Sequence, residues 1–316
     1  MQKGYYTEGT LLMSDENREY TGSIDGIERA MQEGRILEGI ASKAGGGHEL
    51  TVEFGEFTGI IEKDEVQLTF GEGVKDIAVI TRVGKPVCFK VISVERKRVG
   101  APIIKLSRRA AQLECTKNYL AQLRAGDVIP AKVTHLEHFG AFVDIGCGIV
   151  SLLSIDSISV SRISHPGDRL SIGGELRVVV RSMDKNDEGL PTRVYVTGRE
   201  LLGTWEENAA LFSVGQTVTG RVRSVEPYGV FVELTPNLAG LAEYRSDVVV
   251  GQCAAVYIKN IIPERMKIKL VIIDAARSLS AGSEGIVHDE ITHIDRWRYS
   301  PDGCDRVVET VFSDGD

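Results

Sequence analysis

Two aromatic pairs carry the clearest chemical meaning in this chain: Phe139 with Phe142 in FGAFVDI, and Tyr228 with Phe231 in YGVFVEL. Alternate residues of a strand share a face, so Ala141, Val143 and Ile145 lie on one side and Phe142 with Asp144 on the other. The same alternation turns Val230, Val232 and Leu234 inward and sets Phe231 beside Glu233 outside. A ring on the solvent face of a strand offers a π surface on which an unpaired base stacks, at about 1–3 kcal/mol per base and without reading its sequence. Phe139 and Tyr228, each before a glycine at the start of its strand, offer a second stack, and Gly140 and Gly229 keep the surface low enough for a base to approach. The plainer alternative is that these rings cap a barrel end or pack on neighbouring helices.

Other reactive groupings carry less. His288, Asp289, Glu290, His293 and Asp295 resemble a zinc-protease helix motif, but the two histidines are five apart instead of the four that share a helical face. A metal-dependent hydrolase built on this cluster therefore ranks last. His135 and His138 lie near Lys132, yet three residues apart on a strand they face opposite ways, which argues against a shared metal. The glycines Gly45 to Gly47 have no following GK[ST] and suit a hairpin turn better than a phosphate cradle. Ser182 and Lys185 form an SxxK spacing with no companion motif. Cys88, Cys115, Cys147, Cys253 and Cys304 are odd in number and contain no CxxC pair, which suggests reduced and mostly buried thiols. We expect no enzyme, no cofactor and no metal.

The formal charge of −8 argues against an indiscriminate polyanion binder, because Lys and Arg usually dominate affinity for phosphates. The charge is unevenly spread. Residues 82–117 hold ten Lys/Arg against two Glu, including Arg96, Lys97, Arg98, Arg108 and Arg109, so the middle of the chain can face phosphate. From Arg277 onward four basic residues meet nine acidic ones. The opening residues lack a basic segment followed by an apolar run, and no stretch reaches the roughly 18 apolar residues of a membrane span. We expect a soluble cytoplasmic protein without a membrane partner.

An internal repeat sets the elements that must position the rings. RAGDVIPAKVTHLEHFGAFVDIG superimposes without a gap on SVGQTVTGRVRSVEPYGVFVELT, 89 residues later. The same offset pairs Gly84 with Gly173, Ser93 with Ser182 and Pro102 with Pro191, and GQCAAVYIKNIIPERMKIKLVIID repeats that half-unit once more. Short β-branched runs such as Val128 to Leu136, Ala141 to Ile145, Leu176 to Met183 and Val194 to Thr197 read as strands. Five in about 75 residues suit a closed barrel, which removes exposed edges. We expect an all-β chain with an acidic segment over 1–33 carrying one short helix near Ile24 to Gln32. Barrels then follow over 34–107, 124–199 and 213–275, with helical spacers over 108–123 and 200–212. An acidic tail over 276–316 contains Trp297 and Tyr299 and is either a partly disordered interaction segment or an added hairpin. The first copy reads ELTVEF at its second strand, with only Thr51 and Glu53 outward and no aromatic platform.

The phrases GDVIPAKVTHLEHFGAFVDIG and GQTVTGRVRSVEPYGVFVELTPNLAGLAE closely resemble the S1 RNA-binding repeat, a five-stranded oligonucleotide-binding (OB-fold) barrel. The resemblance covers roughly residues 34–275. Its order of copies, a degenerate one ending in KLSRRA and then one with HFGAFVDIG and SHPGD, looks like an internal stretch of a multi-repeat ribosomal member. It implies a nucleic-acid face of two second-strand aromatics, a third-strand histidine, and an Asp and Arg flanking the last hairpin. By position, copy two keeps Phe139, Phe142, Asp184 and Arg193, and copy three keeps Tyr228 and Phe231. The histidine falls on Ser154 and on Glu243, and the Asp and Arg of copy three become Ile262 and Lys267. The resemblance implies affinity per repeat below that of a fully matching domain. The expected partner is single-stranded RNA, mRNA in translation, with Lys132, Arg193, Arg221 and Lys267 touching phosphate. The competing expectation is a scaffold that docks on the ribosome or ribosomal proteins and binds little RNA.

Overall fold

Strands dominate the computed structural model, which describes residues 5–46, 49–71, 73–275 and 285–313. They close into three five-stranded barrels. Two compact units divide the chain: Met1–Leu123 with Asp144–Ser151 and Asp184–Arg193, and Arg124–Val143 with Leu152–Met183 and Val194–Asp316.

Helices α1 (Asp15–Thr21) and α2 (Ile24–Glu33) precede the first barrel. The sequence reading anticipated only one helix. The additional one is α1, which starts where the Ser14 side chain accepts from the amide of Asn17 and satisfies one of the unpaired donors of the first turn. Strands β1 (Ile36–Ala44), β2 (Leu50–Phe54) and β3 (Phe57–Ile61), then helix α3 (Asp76–Ile80), β4 (Pro86–Glu95) and β5 (Ile103–Ser107), follow. The barrel order is β1-β2-β3-β5-β4, with β3 and β5 parallel. Alternation places Leu50, Val52, Val87, Phe89, Ile104 and Leu106 inside, together with Ile27 from α2. Each such side chain contributes about 1.5–3 kcal/mol by leaving water.

Helix α4 (Arg108–Asn118), capped by Ser107, leads to the second barrel. Its strands are β6 (Val128–Glu137), β7 (Gly140–Asp144), β8 (Val150–Ser154), β9 (Glu175–Lys185) and β10 (Pro191–Thr197), with helix α5 (Ile155–Ile158) after β8. The spacer expected to be one helix over 200–212 is two short pieces. A 3-10 turn over Arg199–Leu202 stops at Gly203, whose φ of 78° suits glycine, and Thr204 starts α6 (Trp205–Ala209) with a capping box to Glu207. The third barrel is built from β11 (Thr217–Glu226), β12 (Gly229–Thr235), β13 (Leu238–Ala242), β14 (Cys253–Ile262) and β15 (Lys267–Ala275). The tail contributes a two-stranded sheet, β16 (Arg296–Arg298) and β17 (Glu309–Val311). Trp297 and Tyr299 join the core of the third barrel, and the Tyr299 hydroxyl donates to the Asn237 carbonyl at 2.5 Å.

Part of the basic stretch over 82–117 is engaged by acids, while Lys85, Lys97, Arg98 and Lys117 are exposed. Arg108 is 1% exposed; its guanidinium donates to Glu8 at 2.6 Å and 3.1 Å, and to the carbonyls of Val66 and Gly148. Arg82 also reaches Glu8, Lys90 pairs with Glu114, Arg96 with Asp25 and Glu28, Lys105 with Glu62, and Arg109 with Glu65. Buried guanidinium needs an acid, and acids far away in sequence supply it. Burial works against the charge on Glu8 while Arg108 and Arg82 favour it, and the balance holds its carboxyl below the ordinary range.

Glu38 on β1 is buried beneath the same segment and accepts from the amides of Gly9 and Leu12 at 2.8–3.1 Å. Burial, more than those amides or the Glu8 charge, pushes its carboxyl up to about 7. An acid with a raised native pKa keeps its proton while the unfolded chain releases one, so native stability falls as pH rises from about 4.5 to about 7. For Glu38 the fall is on the order of 3 kcal/mol. Urea unfolding of the intact chain across this window should show the decline in the wild type and a shallower one in Glu38→Gln, and equal slopes would assign the effect to another group.

Candidate nucleic-acid interface

Each aromatic pair sits at the hairpin between the first and second strands of its barrel. Phe139 and Tyr228 precede the second strand and are 54% and 69% exposed, while Phe142 and Phe231, three residues on, are half-buried. The rings of Phe139 and Phe142 meet edge to face at 6.0 Å and 89°, and those of Tyr228 and Phe231 at 6.2 Å and 87°. Such T-shaped contacts fix ring orientation and leave the outer ring's face open to a stacking partner. The backbone is pinned as well: the Ile155 amide donates to the Phe139 carbonyl at 2.9 Å, and the Thr134 hydroxyl to the Phe142 carbonyl at 3.1 Å. The two glycines have a reason other than clearing space for a base. A Cβ at Gly140 would lie 2.5 Å from the Leu153 carbonyl oxygen, and one at Gly229 2.5 Å from that of Ala242, so close approach of the third strand excludes a side chain.

The carboxylates that alternation places beside the rings are not in solvent. Asp144 is 1% exposed; Oδ1 accepts from the amides of Gly146 and Gly148 at 2.8 and 3.0 Å, and Oδ2 from Glu8 at 2.7 Å. Burial and the neighbouring Glu8 charge raise its carboxyl to about 7. Glu233 is 8% exposed and is held by Arg223 at 2.7 and 3.1 Å and by Arg169. Arg223 also donates to Asp168 at 3.2 Å. Outward along a strand thus means outside its own barrel, and other parts of the chain cover that face.

The expected cations are distributed around the barrels. Lys132 is half-buried on β6 opposite Glu175 in the β6–β9 register, and Arg221 is half-buried on β11 opposite Glu233. Lys267 is exposed at the start of β15, directly across from Ile262. Asp184 and Arg193 are exposed on β9 and β10, and Ser154 and Glu243 stand at or after the ends of the third strands. A row of side chains around the third barrel also brings Lys269 opposite Leu241, which in turn pairs with Phe231, a cation that the motif comparison did not single out.

The sequence reading weighs His135 and His138 only as a metal pair and does not single out His165. The His135 ring stacks on Phe142 at 6.3 Å and 25°, and His138 meets His165 edge on at 5.2 Å. His165 belongs to the SHPGD stretch in the β8–β9 connection, so only the fold brings it beside His138. The matching positions of the third barrel are Ser224 and Pro227, and the offset itself could have marked these histidines as special to copy two.

The histidine-acid cluster of the tail is split between separate partners. His288 approaches Glu207 at 3.4 Å, and His293 bonds Asp127 at 2.7 Å and Asp295 at 3.2 Å, which raises the His293 pKa. Among the described residues, no group of three His, Cys, Asp or Glu is arranged to hold a metal ion, and no helix is long and apolar enough to cross a membrane. All five cysteines are buried and unpaired as disulfides. Burial pushes the Cys88 thiol well up, and the Cys147 thiol rises chiefly through its hydrogen bond with Cys115. The Gly45–Gly47 turn lies partly outside the described residues.

Residues 122–191 match the family model of the S1 RNA binding domain. Among curated proteins, the chain is similar to the small ribosomal subunit protein bS1 of Mycobacterium leprae, 28% identical over 98% of this chain and 62% of the relative. It is similar to the bS1 protein of Mycolicibacterium smegmatis, 28% identical over 85% of this chain and 56% of the relative. It is also similar to that of Neisseria meningitidis serogroup B, 31% identical over 74% of this chain and 40% of the relative. The chain therefore spans only 40–62% of the length of these relatives.

The two arginines on Glu233 make that carboxylate a sensitive point. Breaking a buried pair leaves uncompensated charge and costs about 3 kcal/mol or more. Glu233→Ala should lower the urea midpoint accordingly, followed by the fluorescence of Trp205 and Trp297, both in the third-barrel core. Glu233→Gln, which still accepts hydrogen bonds, should lose less.

Proposed function

Because residues 122–191 belong to the S1 RNA binding domain family, we propose that this chain binds single-stranded RNA through the aromatic pairs of its second and third barrels, in translation and in the cytoplasm. The observation that carries this reading is the repetition of one geometry: an exposed ring held edge to face against a half-buried one at the same hairpin of two barrels. A base stacked on Phe139 or Tyr228 needs no particular sequence, which suits a protein that handles many mRNAs. Lys132, Arg193, Arg221, Lys267 and Lys269 supply phosphate contacts, and Asp184 accepts from base or sugar donors at the last hairpin. With a net charge of −8 the phosphate contribution is modest, so stacking carries a larger share of the affinity than in a basic protein. The relatives' name places them on the small ribosomal subunit, and we extend that association to this chain.

A different role suits the first barrel. Its second strand turns Thr51 and Glu53 outward with no ring, and most of the cations from 82 to 117 are engaged by acids. This barrel serves as a docking module for the ribosome or another protein.

Fluorescence anisotropy with labelled single-stranded and duplex RNA over a salt series tests the reading. The intact chain should prefer the single strand, and Phe139→Ala with Tyr228→Ala should weaken binding by about 2–6 kcal/mol, one base stack per ring. Binding that survives both substitutions unchanged would sink the platform reading and favour docking for the whole chain.

A further inference from the structure

The β8–β9 connection of the second barrel links the two aromatic pairs by an unbroken series of contacts. At one end His165 meets His138, the residue before Phe139, and Phe139 meets Phe142. The next residues form one 3-10 turn, Pro166–Asp168, in which the Asp168 amide donates to the His165 carbonyl at 2.9 Å. Asp168 is further braced by the amide and hydroxyl of Ser164, both at 3.1 Å. At the other end Asp168 takes Arg223 at 3.2 Å and Arg169 takes Glu233. Glu233 lies two residues from Phe231 on the same face of β12, and Phe231 holds Tyr228.

We propose that residues 164–169 are a coupling bridge that joins the two aromatic pairs into one composite site for a single RNA strand long enough to reach both. The His138–His165 pair forms the ledge between them. This deepens the RNA-binding reading above and rests on it.

The physical grounds are the burial and redundancy of the tie. The side chains of Arg223 and Glu233 are each 9% exposed, and that of Arg169 14%, so the ion pairs act in a poorly solvated setting that screens them less than surface pairs. Arg223 forks between two acids, one from each barrel, which fixes direction as well as distance. Nearby, the Val160 amide donates to Asn237 Oδ1 at 2.9 Å and the Ser161 amide to the Pro236 carbonyl at 3.1 Å, so the same connection is anchored to the third barrel at two places along its length. Two binding surfaces held at a fixed separation turn the second contact of one strand into an intramolecular event, and affinity rises through effective concentration without any new contact. A pair of barrels on a loose tether would spread that concentration over many arrangements.

The test compares labelled oligouridine of about 6 and about 20 nucleotides, the first near the lower limit and the second beyond the ~4–16 nucleotides that one such barrel covers. In the intact chain the longer strand should bind about a hundredfold more tightly. Asp168→Asn with Arg169→Gln removes the tie at the surface of the second barrel; short-strand affinity should stay as it was while the advantage of the long strand falls about tenfold or more. Arg169→Lys alone, which keeps the charge, should retain most of that advantage, and the unchanged short-strand affinity of the double variant shows that its loss is not loss of the fold. A long-strand advantage that survives in the double variant overturns the coupling. So does a parallel loss for both lengths, which would place the loop in one barrel's own site. If neither strand binds the intact chain at low salt, the RNA-binding reading itself fails, and the bridge with it.

Discussion

A carboxylate on the outside of a barrel's second strand, two residues after an aromatic ring, must either stay in water or find partners, and in this chain it finds partners twice. Asp144 is sealed by backbone amides, one of them from Glu8, and Glu233 by two arginines. Water is thereby excluded from half of a face that strand alternation alone leaves open. What remains open is the half that carries the rings. The burial of the acid and the exposure of the aromatic are two consequences of the same covering, which ends between them.

The two solutions differ in electrostatic character. Around Asp144 the acids Glu8 and Asp144 lie near the buried Arg108 and the partly buried Arg82, with Glu38 beside Glu8 and held by amides alone, and the carboxyls of Glu38 and Asp144 are pushed up toward neutrality. Around Glu233 the arginines are in excess and a second acid, Asp168, completes the count. The first arrangement depends on backbone donors and responds to pH near neutrality. The second is a set of charge-assisted bonds whose geometry constrains direction.

Much of the architecture was legible because a closed barrel imposes the same demands on each copy. Glycine at the turn, an inward trio such as Val230, Val232 and Leu234, and a ring at a fixed place recur at an offset of 89 residues because each must fill the same interior. The rings of the candidate site were legible for the same reason, since alternation separates Phe142 from Val143 without reference to the rest of the chain. What alternation cannot report is what lies beyond the barrel wall. Arg108 reads as part of a basic surface until Glu8, a hundred residues earlier, is seen on its guanidinium. His165 reads as a loop residue until the β8–β9 connection returns it to His138. Gly203 is a different failure: the apolar spacing around it suits a helix, but its left-handed backbone ends one turn and lets Thr204 begin another.

The covering of Asp144 and Glu233 also bears on how such a chain can be inherited. Gene duplication produces repeats that in principle can be shuffled, lost or transplanted one at a time, since each barrel has its own strands and its own interior. Here the acid of one barrel is held by groups that belong to sequence before it, the Glu8 amide on Asp144 in one case and Arg169 on Glu233 in the other, where Arg223 of the same barrel completes the pairing. Excision at the repeat boundary strands a carboxylate in its host, and transplantation imports one without its cations. The transmissible module is therefore a barrel together with the stretch ahead of it, and substitutions on either side of that boundary must change in step.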